Sequence, residues 1–158
     1  MKVISGAQTG ADKAGLVAAR SLGIETGGWM PAGFRTSEGS RPSYQYRYGM
    51  KVTKSSGYPD RTRKNVEESD GTVWFGNPKS AGGKLTLRTA KKLGKPVLKV
   101  SQDIRARDAG RELATWIRKK KIKTLNVAGN REETNLGIFA FTYSTMLVAL
   151  RAVADRRK

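Results

Sequence analysis

Residues Ser5-Gly6-Ala7-Gln8-Thr9-Gly10, followed by Asp12, join a short apolar run to a helix-like segment. Glycines at 6 and 10 let the backbone turn tightly and approach a ligand closely. The N–H groups that open the next helix can then face an anion, helped by the helix dipole. Ala7, between the glycines, belongs to the same turn. Gln8 and Thr9 add side-chain hydrogen bonds, and Asp12 can support the loop or contact a ligand hydroxyl. A plain strand-to-helix turn with Thr9 as its cap is the alternative. The loop is not a phosphate-binding P-loop, because no Gly-Lys-Ser/Thr follows at the required spacing, and it is not Gly-x-Gly-x-x-Gly either. The stretch from Lys79 to Lys84, with Gly82 and Gly83, repeats the logic: glycines beside a cation, ahead of a helix. Trp29 and Arg35, and further on Gly129 and Arg131, also fall just after strand-like runs.

Composition narrows the chemistry. The chain has 158 residues, with no cysteine and no histidine. Disulfides, Cys/His zinc sites, and Ser-His-Asp or Cys-His catalysis are excluded. Acid–base work would fall to carboxylates, Lys or Tyr, and Asp12, Glu38 and Glu132 are the carboxylates near the glycine turns. The net charge of +18 favours an anionic partner: a nucleotide, an oxyanion such as molybdate, or nucleic acid on the basic surface. A basic, solvated exterior accounts for the same charge. The segment Tyr44-Gln45-Tyr46-Arg47-Tyr48-Gly49 mixes aromatics and cations, which suits a nucleotide base or a single strand. It equally suits a hairpin whose alternate tyrosines pack on the domain.

These residues need a scaffold. Strand-like runs at Lys2–Ser5, Ile24–Pro31, Gly71–Gly76, Lys95–Val100 and Lys123–Gly129 alternate with helix-like runs at 12–22, 59–69, 84–93, 106–121 and 135–155. That alternation predicts an α/β fold, Rossmann-like and doubly wound, with a mostly parallel sheet covered on both faces. One domain over 1–158 is expected, with a long loop or excursion at about 36–57. In such folds ligands bind at the carboxyl ends of the strands, where the glycine turns would share one rim. The last helix carries no charge from Leu136 to Leu150. It is shorter than the roughly 20 apolar residues of a membrane span, so it reads as buried or packed on a second copy. No membrane association is expected, and a start that enters a strand directly predicts a cytoplasmic protein.

Five stretches, "SGAQTGAD", "GGWMPAGFRTSEG", "YPDRTRKNVEESDGTVWF", "AGGKLTLRTAKKLGKP" and "LNVAGNRE", resemble in sequence and order the putative molybdenum carrier family of the SLOG superfamily. The resemblance runs from Val3 to about Leu150. It implies a Rossmann-like ligand-binding domain and a homo-oligomer, as its members often look oligomeric; the lack of a carboxylate after the second glycine turn makes non-catalytic binding the expectation. It maps a site onto Gly6, Gln8, Thr9, Gly10 and Asp12, onto Gly82, Gly83 and Thr86, and onto Gly129 and Arg131. Relatives in the wider superfamily bind nucleotides, and some cleave nucleotide N-glycosidic bonds. Three departures stand out. Ala7 replaces a usual glycine, and Lys84 follows Gly82-Gly83 where threonine is usual. Arg88 or Thr89 stands where the hydrolytic relatives carry a glutamate.

Overall fold

The computed structural model describes residues 1–155. Six parallel strands form the main sheet: β1 (Lys2–Ile4), β2 (Glu25–Met30), β5 (Met50–Val52), β6 (Gly71–Phe75), β7 (Val97–Val100) and β8 (Thr124–Gly129). Their order across the sheet is β5-β2-β1-β8-β6-β7. Two short strands, β3 (Arg35–Thr36) and β4 (Gly39–Ser40), pair as a separate antiparallel hairpin. The helices are α1 (Ala11–Ser21), α2 (Tyr44–Tyr48), α3 (Tyr58–Glu68), α4 (Ala81–Lys92), α5 (Ala106–Lys119) and α6 (Ile138–Asp155). This is the doubly wound α/β architecture that the alternation implies.

The two faces of the sheet are unlike. Side chains alternate along a strand. Val73 and Phe75 of β6, and Leu125 and Val127 of β8, therefore share one face with Val3 of β1. Helices α1, α5 and α6 cover that face and complete a large apolar core with Leu113, Ile117, Ile138, Met146 and Leu150. Burying each large side chain there contributes about 1.5–3 kcal/mol. The opposite face presents Thr72, Trp74 and Asn126 to α3 and α4. The buried residues of α3 are only Asn65 and Val66, and those of α4 only Gly83, Thr86 and Ala90. The second layer thus lacks the apolar filling of the first.

The segment expected as a long loop or excursion holds the β3–β4 hairpin, α2, and β5, which extends the main sheet beside β2. Three local expectations need correction. The tyrosine-rich segment forms α2 rather than a hairpin. Tyr44 and Tyr48, four apart, lie on one helix face and meet edge-on at 5.0 Å, while Tyr46 is exposed. Gly10, not Thr9, caps α1, and no side chain accepts a hydrogen bond there. Finally, α4 begins at Ala81, so Gly82 and Gly83 lie within its first turn. Helix α6 is by length and composition able to cross a membrane, with mean hydropathy 1.3. In the fold it packs on α1 and α5 and sends seven residues into the core.

Candidate functional site

A cavity of about 450 Å³ lies between the polar face of the sheet and the α3–α4 layer, opening at the carboxyl ends of the strands. Its floor is Trp74, Asn126 and Ala128; Asn126 donates to the Thr72 hydroxyl at 3.2 Å across the strand pair. One wall is Tyr58, Arg61, Thr62 and Asn65 of α3. The other is Ser80, Ala81, Gly82, Leu85 and Thr86 around the start of α4. Ser80 caps α4 by accepting the Gly83 N–H at 3.1 Å. The N–H groups of Ala81 and Gly82, one turn too early for helical partners, are left at the cavity wall.

Arg61 and Asp12 form the charged centre. Arg61 Nη1 lies 3.4 Å from Asp12 Oδ2, with side-chain exposures of 13% and 5%. Its guanidinium rests directly on Gly6, where a Cβ would displace it from this position. Burial pushes the Asp12 carboxyl up to about 6, against the opposing pull of Arg61. Burial likewise lowers the Arg61 guanidinium from its ordinary value, against the support of Asp12. Both shifts report the same desolvation.

Gln8 is oriented by an unusual set of donors. Its Oε1 accepts from the Thr9 N–H at 2.9 Å and from the Ser37 N–H at 2.9 Å. The amide NH₂ therefore points the other way. Ser37, at the tip of the β3–β4 hairpin, also donates to Glu133, as does the Thr9 hydroxyl. Partial burial opposes ionisation of Glu133, but these bonds from Ser37 and Thr9, with Arg131 nearby, hold its carboxyl below the ordinary value. The excursion between β2 and α3 thus fixes a side chain of the first loop.

Six buried side-chain atoms lack partners among the described residues: Trp29 Nε1 and the Thr142 and Thr145 hydroxyls elsewhere in the fold, and Gln8 Nε2, Arg61 Nε and Trp74 Nε1. The residues of the last three line this cavity. An unpartnered buried donor costs about 1–3 kcal/mol.

Of the residues anticipated from sequence, Gly6, Gln8, Asp12, Gly82, Thr86, Gly129 and Arg131 line the cavity. The others do not. The amides of Ala7, Gln8, Thr9 and Ala11 are taken by Ser5, Asp12, Gln8 and Asn130, so those N–H groups of the first loop do not form an open anion cradle. Ala7, in a left-handed conformation with φ 55°, turns its methyl into a small core with Leu16, Met30 and Met50. Thr9 serves Glu133. Gly10, with φ 80°, packs under the Asn130 carbonyl. Trp29 sits on the far side of α3, with Lys51 and Lys64 ammoniums 4.6 and 4.5 Å from its ring centre, and is no platform for a base in this cavity. Gly83 packs on the Pro78 backbone. Lys79 and Lys84 are exposed, and Arg35 stands beside Tyr58. Glu132 caps α6 through the Gly137 and Phe139 N–H groups, and Glu38 pairs with Arg41. Asp12 is therefore the only carboxylate lining the cavity among the described residues.

With this geometry in view, comparison with known proteins is informative. The profile described as "Circularly permutated YpsA SLOG family" matches residues 3–150. The chain belongs to this SLOG family. A solved structure named "Putative molybdenum carrier protein", from Syntrophus aciditrophicus SB, is similar to it at 36% identity and a TM-score of 0.88. The match covers 94% of this chain and 94% of that one. No curated protein matches. Membership agrees with a ligand-binding role. It does not choose the ligand, which must be argued from the cavity.

Proposed function

We propose that this SLOG protein binds an anionic, nucleotide-type ligand in the α3–α4 cavity. A phosphate is received by Gln8, Arg61 and the free amides of Ala81 and Gly82, and the base lies against Trp74. The observation that carries the reading is that three residues lining one cavity, Gln8, Arg61 and Trp74, each hold a buried donor without a partner. Acceptor-rich anions satisfy donors of this kind, and a helix N-terminus adds to the attraction. The volume of about 450 Å³ falls in the range of about 300–1,000 Å³ typical for organic ligands. Asp12, paired with Arg61, organises the cation. With no second carboxylate beside it, binding without catalysis is the simpler role.

Likeness to the Syntrophus protein supports a second reading, in which the cargo is molybdate. A four-oxygen dianion would use the same donors but leave most of the cavity and the Trp74 floor unfilled. Thermal unfolding in the presence of a panel of nucleotides and of sodium molybdate separates the two. A nucleotide at a hundred times its dissociation constant raises the midpoint by about 5 °C or more. Gln8→Leu reduces that gain. Stabilisation by molybdate alone would give the site to the oxyanion, and no stabilisation by either class would reject both.

A further inference from the structure

The mouth of the cavity holds a feature that one phosphate does not use. Three guanidiniums gather on one aromatic ring. Arg35, Arg61 and Arg131 lie 5.1, 5.2 and 5.1 Å from the centre of Tyr58. They come from three separate places: the β3–β4 hairpin, helix α3 and the segment after β8. Arg61 has Asp12 as its partner. Neither Arg35 nor Arg131 is in an ion pair with a carboxylate among the described residues. Arg35 is steadied by a hydrogen bond to the Ser56 carbonyl at 3.1 Å. Its hairpin is tied to the first loop through Ser37 and Gln8. Cation–π attraction to one ring offsets only part of the repulsion among three like charges. Asp12 beside Arg61 and Glu133 near Arg131 offset a further part, and an anion held by Arg35 and Arg131 would offset more.

Resting on the nucleotide reading above, we propose that Arg35 and Arg131, seated on Tyr58, form an outer anion subsite beside the inner donors. The ligand is then a nucleotide with at least two phosphate groups, a nucleoside diphosphate or triphosphate. The inner donors Gln8, Arg61 and Trp74 are buried and fixed, and they take the part of the ligand that enters first. The outer pair is exposed and forked, suited to bidentate contact with the next phosphate.

The test is calorimetric titration of the full chain with matched pairs, AMP with ADP and GMP with GDP. In the wild type the diphosphate of the preferred base binds about tenfold or more tightly than its monophosphate. In the Arg35→Ala/Arg131→Ala double variant that ratio falls toward one. Gln8→Leu weakens both members of the pair and keeps the ratio, which separates the two subsites. Circular dichroism of each variant confirms that it is folded. Equal affinity for mono- and diphosphate in the wild type, or a preference that survives the double substitution, overturns the outer subsite alone. Failure of all four nucleotides to bind overturns the nucleotide reading beneath it.

Discussion

Asp12 is a carboxylate held where water cannot solvate it, and its consequences belong to the single residue. Its pKa is raised from 3.8 to about 6, by burial above all. A carboxyl whose folded value lies above its unfolded value binds its proton more tightly in the native state. Its contribution to stability is therefore fullest below the unfolded value and is lost as pH rises through about 6. Asp12→Asn imitates the protonated form at every pH and lacks this dependence. Urea unfolding of both proteins between about pH 4 and about pH 7 should show the wild type losing about 2 kcal/mol relative to the variant as pH rises. A constant difference across that range would mean that the carboxylate is stabilised by Arg61 as fully as it is in water. Ala7 illustrates a different local balance. Its left-handed φ of 55° costs about 1 kcal/mol, and burial of its methyl returns about 0.8 kcal/mol. Replacement of the usual glycine at this position is therefore tolerated.

At the scale of elements, the start of α4 joins stability to binding. The Ser80 hydroxyl accepts the Gly83 N–H at 3.1 Å and so holds the first turn that presents Ala81 and Gly82. Ser80→Ala should cost about 1 kcal/mol, read from denaturant unfolding. It should also weaken whichever ligand stabilises the wild type, because the frayed turn no longer aims its amides. Unaltered ligand affinity in the destabilised variant would remove the α4 amides from the site. The glycines that announced this region in the sequence are thus helical, and the free amides are those of Ala81 and Gly82 in the first turn. Periodicity made the helices and most strands legible, since each has an apolar face of the right repeat. It failed at β5, whose three residues include an outward Lys51, and at Tyr44, Tyr46 and Tyr48, where spacings of two and four coexist. It also could not single out Arg61 from Arg63 and Lys64 on the same helix. Asn126 and Trp74 did leave a signal: polar or donor-bearing positions inside strands that the fold buries on both faces.

For the whole molecule, the asymmetry of the two layers is the governing fact. Helices α1, α5 and α6 close an apolar core, whereas α3 and α4 close a cavity and bury no large hydrophobic side chain except Val66. Local stability follows buried apolar contact. In hydrogen–deuterium exchange of the ligand-free protein, segments 58–68 and 81–92 should therefore exchange faster than 106–119 and 138–155. A ligand in the cavity supplies the missing contacts of that layer and binds only the folded state, so it stabilises the chain through mass action. Its addition should slow exchange chiefly in α3, in α4 and in the first loop around Gln8, leaving α5 and α6 nearly unchanged. Uniform protection across all helices without ligand would show that the polar layer is as firmly closed as the apolar one. The cavity would then be a fixed feature of the fold rather than a place that the ligand completes.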